Sequence, residues 1–161
     1  MGYALQVDGM EEISTMLEKM EQQAPTAAAK ALYEGAGVMA EELKKSAATI
    51  KTATFKYARE GETRLPSPQE KAVILSAHGI GIARFRKDGV EVDTSVGYAG
   101  SGYAEMAGKE VPIPRVANAI NSGTSFMQKQ PFVRQAIRSG GNKAMKAMKD
   151  SIEKDFDALT K

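Results

Sequence analysis

The chain has no cysteine and no tryptophan, and one histidine, His78, among its 161 residues. Without cysteine there are no disulfides, thiolate nucleophiles or sulfur ligands for soft metals, a composition that fits a reducing compartment and favours a cytoplasmic origin. A single imidazole cannot begin a transition-metal site that needs paired ligands. His78 stands beside Gly79 at an expected helix end, where it serves terminal carbonyls rather than catalysis. Aromatic residues make up only 6% of the chain, so the core is light. Nine methionines, with much alanine and glycine, supply small or adaptable packing groups. No apolar run is long enough to cross a bilayer, and residues 1–8 have neither the basic start nor the apolar segment of a signal peptide. A net charge of +2 is too small to argue for nucleic-acid binding by charge alone.

What is present is ordinary for a soluble globular protein: 42% hydrophobic and 26% charged residues, in a length that suits one domain with a single core, residues 1–161. Asp8 and Glu11 resemble a capping box, and Met10, Ile13, Met16, Leu17 and Met20 fall on one side of a helix. The first helix is expected over about residues 9–23, with Glu11, Glu12, Glu18 and Glu21 on its solvated face. Pro25 interrupts it, and a second helix opens near Thr26 with Ala28, Leu32, Gly35, Ala36, Met39 and Leu43 inward. Gly35 lies on that stripe and is expected to pack closely against another element, whereas Gly37 does not.

Residues 46–66 lose all apolar period and carry Lys51, Lys56, Arg59 and Arg64, which reads as a long loop. Ser67-Pro68-Gln69-Glu70 is a helix start: a serine cap, proline in the first turn and a glutamate able to bond back. Gly79 is its expected stop. Asp88-Gly89 is a hairpin signal that sets Arg86 opposite Glu91, Phe85 opposite Val92 and Arg84 opposite Asp93. Residues 97–108 are glycine-rich and read as a loop. Val111-Pro112-Ile113-Pro114 reads as extended, because two prolines lack donors. A short helix is expected over residues 115–121, and a turn of helix over 132–139. A break follows at Gly140-Gly141, and then comes a last helix with Met145, Met148, Ile152, Phe156 and Leu159 on one face. Lys143, Lys146 and Lys149 form a mild basic edge. The fold class is therefore α+β.

Motifs for chemistry fail on inspection. Gly102 to Lys109 has five residues between its glycines instead of the four of a phosphate-binding loop, and no Ser or Thr follows the lysine. Gly79-Ile80-Gly81 leads into a strand where dinucleotide binding requires a helix N-terminus. No carboxylates pair as an acid and a base, so catalytic, cofactor and metal residues are all read as none. The distinctive stretch is Gly123-Thr124-Ser125-Phe126-Met127-Gln128-Lys129-Gln130-Pro131-Phe132, followed by Val133-Arg134. It is expected to expose Phe126 and Met127 on a loop before proline starts a helix, as a protein-binding loop does.

The order of an N-terminal helical pair, long loop, small antiparallel sheet, Gly123-Thr124, Pro131-Phe132 and Ala136, and a charged C-terminal helix resembles a known family. These are the head-tail joining proteins of long-tailed double-stranded-DNA bacteriophages, the group named after the gene-ten product of phage HK-ninety-seven and also described as minor tail or tail-completion proteins. The small-residue helix around Ala31, Gly35 and Ala36 before Lys44-Lys45-Ser46-Ala47 belongs to the same pattern. Two features depart from it: Asn121-Ser122 replaces an acidic residue before Gly-Thr, and the Thr-Gly-x-Leu element after the second helix is absent. The resemblance implies a non-enzymatic virion protein assembled in the bacterial host cytoplasm. Its copies form a ring of six in the phage neck, beside other neck and tail proteins, with genomic DNA passing through. Gly123, Thr124, Phe126, Met127, Pro131, Phe132 and Arg134 are then the interaction residues. Phe126→Ala or Phe132→Ala is expected to weaken assembly, and Lys149→Ala is not. The alternative is a nucleic-acid-binding module using the basic residues 51–64.

Overall fold

The computed structural model describes residues 10–54, 62–76, 79–84, 86–88, 91–98, 102–106 and 108–159. Its frame is two long antiparallel helices, α1 (Met10–Ala48) and α4 (Phe132–Leu159). The expected break at Pro25 does not occur: α1 runs through it for 39 residues. Proline removes one backbone hydrogen bond, but Gln22, Gln23 and Ala24 before it and Ala27 to Lys30 after it are good helix formers that keep both sides in line. Nor does Gly140-Gly141 break α4, which continues for 28 residues. Gly140 is buried against α1, where an added Cβ would stand 2.9 Å from Cγ of Glu42 and 3.0 Å from Sδ of Met39. The glycine is there for proximity, and helix packing offsets its poor propensity.

Polar and small-residue contacts fix the helix pairing along its length. Lys30 donates to Asp155 at 2.6 Å, Gly35 faces Met148, and Ser46 donates to the Phe132 carbonyl at 2.6 Å. Buried Ala31, Ala36 and Ala40 on α1, and Ala136, Ala144 and Ser151 on α4, let the backbones approach. The close packing expected of Gly35 is observed; around Gly37 there is open space. Between the helices Glu42 accepts from Lys143 at 2.9 Å, from Ser139 at 2.9 Å and from Lys45 at 3.3 Å. Those hydrogen bonds lower the Glu42 carboxyl to about 2. Met145, placed inward by periodicity, is 67% exposed instead, because α4 turns its Ala136, Gly140 and Ala144 side toward α1.

The rest of the chain covers one end of this pair. Helix α2 (Pro68–Ile74) starts with the expected capping box, Ser67 and Glu70 exchanging hydrogen bonds of 3.1 and 2.7 Å. It stops at Ile74, well short of Gly79, whose buried backbone packs so close that a Cβ would lie 2.5 Å from the Ile74 carbonyl. Three antiparallel pairs follow among the described residues: β1 (Ile80–Ile82) with β4 (Val96–Tyr98), β2 (Arg86–Asp88) with β3 (Glu91–Asp93), and β5 (Tyr103–Met106) with β6 (Lys109–Pro112). The β2–β3 register differs from expectation. Arg86 faces Asp93 and Asp88 faces Glu91, so the two residues between the strands are Gly89 and Val90. A slip of two preserves every side chain's face, so alternation alone could not separate the two registers. Phe85, like Ala77 and His78, lies outside the described residues.

The glycine-rich segment 97–108 holds the end of β4 and all of β5, with Gly108 at φ 75° turning the chain into β6. Pro112 and Pro114 end a strand and enter a helix: α3 (Ile113–Ser122) begins two residues earlier than expected, with proline in its first turn. There the missing N–H has no intrahelical partner to lose. Leu43, Ala47, Ile50, Ile74, Ile113 and Ile120 form the core with Met127 and Phe132, and the β1–β4 pair covers it through Ile80, Val96 and Tyr98. The architecture is α+β.

Candidate functional site

The segment between α3 and α4 is pinned at nearly every residue. Gly123 caps α3 at φ 77°, its N–H donating to the Ala119 carbonyl at 3.0 Å. A side chain there would be strained, and its Cβ would meet Lys129 at 3.0 Å. Thr124 closes a tight loop: its N–H donates to the Met127 carbonyl at 3.0 Å, and its Oγ1 accepts from the Met127 N–H at 3.0 Å. Phe126 occupies the tip. Its carbonyl accepts from the Arg64 N–H at 2.9 Å, and the Gln128 N–H donates to the Arg64 carbonyl at 2.8 Å, a one-bridge parallel pairing.

Arg64 carries this support further. Its guanidinium donates twice to Glu70, Nη2 to Oε1 at 2.6 Å and Nη1 to Oε2 at 2.7 Å, and also to the Leu65 carbonyl at 3.1 Å. Burial alone would push the Glu70 carboxyl up, but the Arg64 hydrogen bonds, the Ser67 N–H and the Arg64 charge together hold it below its ordinary range. A planar two-bond pair of this kind fixes orientation as well as charge. The loop, residues 62–66 and the start of α2 are thereby one unit.

The far side of the segment is equally held. The Gln130 side chain exchanges two 2.8 Å hydrogen bonds with the Lys51 backbone, and its N–H donates to the Ile120 carbonyl at 2.8 Å. Asn121 Oδ1 accepts from the Val133 N–H at the start of α4. Lys71 donates to the Ala48 and Ile50 carbonyls, closing the end of α1. A cleft of about 410 Å³ opens between residues 49–51 and 128–135.

Met127 and Phe132 are not exposed: they are 3% and 2% accessible, inside their own protomer. Phe132 meets Tyr98 edge-on, ring centroids 6.1 Å apart at 81°. At the tip of the tight Thr124–Met127 loop Phe126 turns outward, while Met127, at the bridge to Arg64, turns inward, which two adjacent apolar residues cannot reveal in sequence. Phe126 is 54% exposed. Gly123 and Pro131 are half-buried, and Thr124 and Arg134 are exposed. The sequence thus located the loop but not its anchors. Glu70 was visible as a cap, while its long-range partner Arg64 and the Gln130–Lys51 pair had no local signal. No protein-family model, curated protein or solved structure matches this chain.

The basic segment 51–64 changes character. Arg64 is committed to Glu70, with only 23% of its side chain accessible, and the Lys51 backbone is committed to Gln130. Lys56 and Arg59 lie outside the described residues. Among those described, no helix is long and apolar enough to cross a membrane.

Proposed function

We propose that this chain is a structural protein of the neck of a long-tailed double-stranded-DNA bacteriophage, whose copies form a ring that completes the tail and joins it to the head. The observation that carries this reading is Phe126. A large aromatic side chain stands in solvent at the tip of a loop whose backbone is tied down on both sides. Ordering costs have already been met in the isolated subunit, so cover supplied by a neighbour turns directly into association. Anchors of this kind, aromatic and preorganised, carry much of the energy of protein interfaces.

The loop's placement supports a ring as well. It lies at the end of the α1–α4 pair where Ser46 meets Phe132, and a ring follows when its receptor is a different surface of the next copy and the rotation closes. The ring of six, the neighbouring neck and tail proteins and the passage of genomic DNA follow from the family resemblance. The rival nucleic-acid reading is weakened by the Arg64–Glu70 pair, which withdraws one of its four cations.

The test is sedimentation and electron microscopy of the purified chain, alone and with phage tail tubes. Rings, or density capping the tubes, that disappear with Phe126→Ala support the reading. A monomer that ignores tail tubes but binds duplex DNA, with affinity falling steeply in salt, overturns it.

A further inference from the structure

The two long helices do not end together. Lys30–Asp155 and Gly35–Met148 set the register, which places Leu159, the end of α4, level with the Pro25–Thr26 region of α1. The groove at that end confirms the level, since Phe156 and Ala158 line it with Gln23, Ala24 and Ala27. The first three turns of α1 therefore project past their partner. In residues 14–24 every side chain is exposed except Met16 and Met20, which are half-buried, and Leu17 is 60% accessible. This projection is acidic: residues 10–23 hold Glu11, Glu12, Glu18 and Glu21 against Lys19 alone.

The outer side of α4 is its complement. Residues 132–149 contain no acid; Lys143 is drawn to Glu42 and Lys149 to Glu153, which leaves Arg134, Arg138 and Lys146 as its basic margin. Two large apolar side chains stand exposed there, Ile137 at 57% and Met145 at 67%. Gly141 falls between them at i+4 spacing, and around its missing Cβ no heavy atom of the described residues lies within 4 Å. A saddle with apolar walls and a basic margin results.

We infer that the projecting start of α1 in one copy docks on the Ile137–Gly141–Met145 saddle of α4 in a second copy, with Leu17 entering over Gly141. Glu18 and Glu21 then face the Arg134, Arg138 and Lys146 side. Opposite charge selects the α1–α4 arrangement over pairing of two acidic projections or two basic saddles. The projection and the saddle lie toward opposite ends of the helix pair, so the contact is head-to-tail and repeats in one direction. This inference rests on the reading of the chain as self-assembling, and it adds to Phe126 a second, separate contact between neighbouring copies.

The absence of native cysteine makes the test unambiguous. Leu17→Cys and Met145→Cys are prepared as separate full-length variants, mixed and mildly oxidised, with Glu34→Cys as an exposed control. Met145 is level with residues 38–40 of α1, so within one subunit it stands about 30 Å along the helix from Leu17. Any disulfide between the two sites must join two copies. The expected result is a Leu17–Met145 heterodimer about tenfold in excess of either homodimer and of the control, as a held pair gives over random collision. Glu18→Lys with Glu21→Lys should abolish the excess, and adding Arg138→Glu with Lys146→Glu to the other partner should restore it. A dominant Leu17–Leu17 product, or cross-linking no greater than the control, overturns the interface. Rings that persist without the Leu17–Met145 link remove this interface and leave the neck reading standing. No association at any concentration, with or without tail tubes, removes both.

Discussion

Gly35 and Met148 occupy the same space: a Cβ built on Gly35 would lie 2.6 Å from Cγ of Met148 and 2.9 Å from its Sδ. One close approach of the two long helices is therefore written as a missing methyl group on one and a flexible thioether on the other. Gly35→Ala should lower stability by about 1–2 kcal/mol, because displacing Met148 outweighs the gain of roughly 1 kcal/mol in helix propensity. Gly37→Ala and Gly141→Ala meet open space and should raise stability by up to about 1 kcal/mol each. Urea denaturation of the three variants, with Gly35→Ala repeated in a Met148→Ala background, separates overpacking from propensity.

Glu42 ties acid stability to the helix pairing. Its carboxyl titrates at about 2 in the folded chain against an ordinary 4.5, so the unfolded state binds the proton more readily. Stability from this group is complete above pH 4.5 and is lost as pH falls from there toward 2. Thermal unfolding between pH 5 and 2 should show a drop in midpoint that Glu42→Gln flattens. A parallel drop in both proteins would separate the acid response from this residue.

Arg64→Met should cost roughly 2 kcal/mol, since it strips two charge-assisted hydrogen bonds from a Glu70 side chain that is 10% accessible. The damage should be local. Amide exchange ought to quicken at residue 64 and Gln128, whose N–H groups form the bridge to the Phe126 and residue 64 carbonyls, while the α1–α4 pairing stays protected.

Ser151 is 1% accessible on α4, and its hydroxyl has no hydrogen-bond partner among the described residues. Ser151→Ala removes a buried unsatisfied group and improves helix propensity, so a gain of about 1 kcal/mol is expected in the same urea experiment. A loss of that size would mean that the hydroxyl is satisfied in solution.

Local signals carried much of this fold. The Ser67–Glu70 capping box, a hairpin near Asp88-Gly89 though in another register, the inward Gly35 and the α+β class could all be read from neighbouring residues. The failures share a cause. Pro25 and Gly140 are helix breakers by propensity, and only the partner helix shows why both helices run through them. The segment 97–108 reads as loop because its strands are four residues long and rich in small side chains. At the candidate site, burial of Met127 and Phe132 depends on core positions far away in sequence, as does the Arg64–Glu70 pair. Propensity can name a loop, but only tertiary contacts decide which of its apolar residues face outward.

Phe126 is exposed and Phe132 is buried, although the sequence pattern treated them alike. Phe132→Ala should cost about 3–5 kcal/mol of stability as a core cavity. Phe126→Ala should leave the urea midpoint nearly unchanged, because more than half of that side chain is already in water. Sedimentation velocity of wild-type and Phe126→Ala protein, each with and without tail tubes, addresses the self-assembly reading most directly. The proposed reading predicts that wild-type chains form closed rings or cap the tubes and that the equally stable variant does neither. Identical sedimentation of the two proteins under both conditions would contradict it.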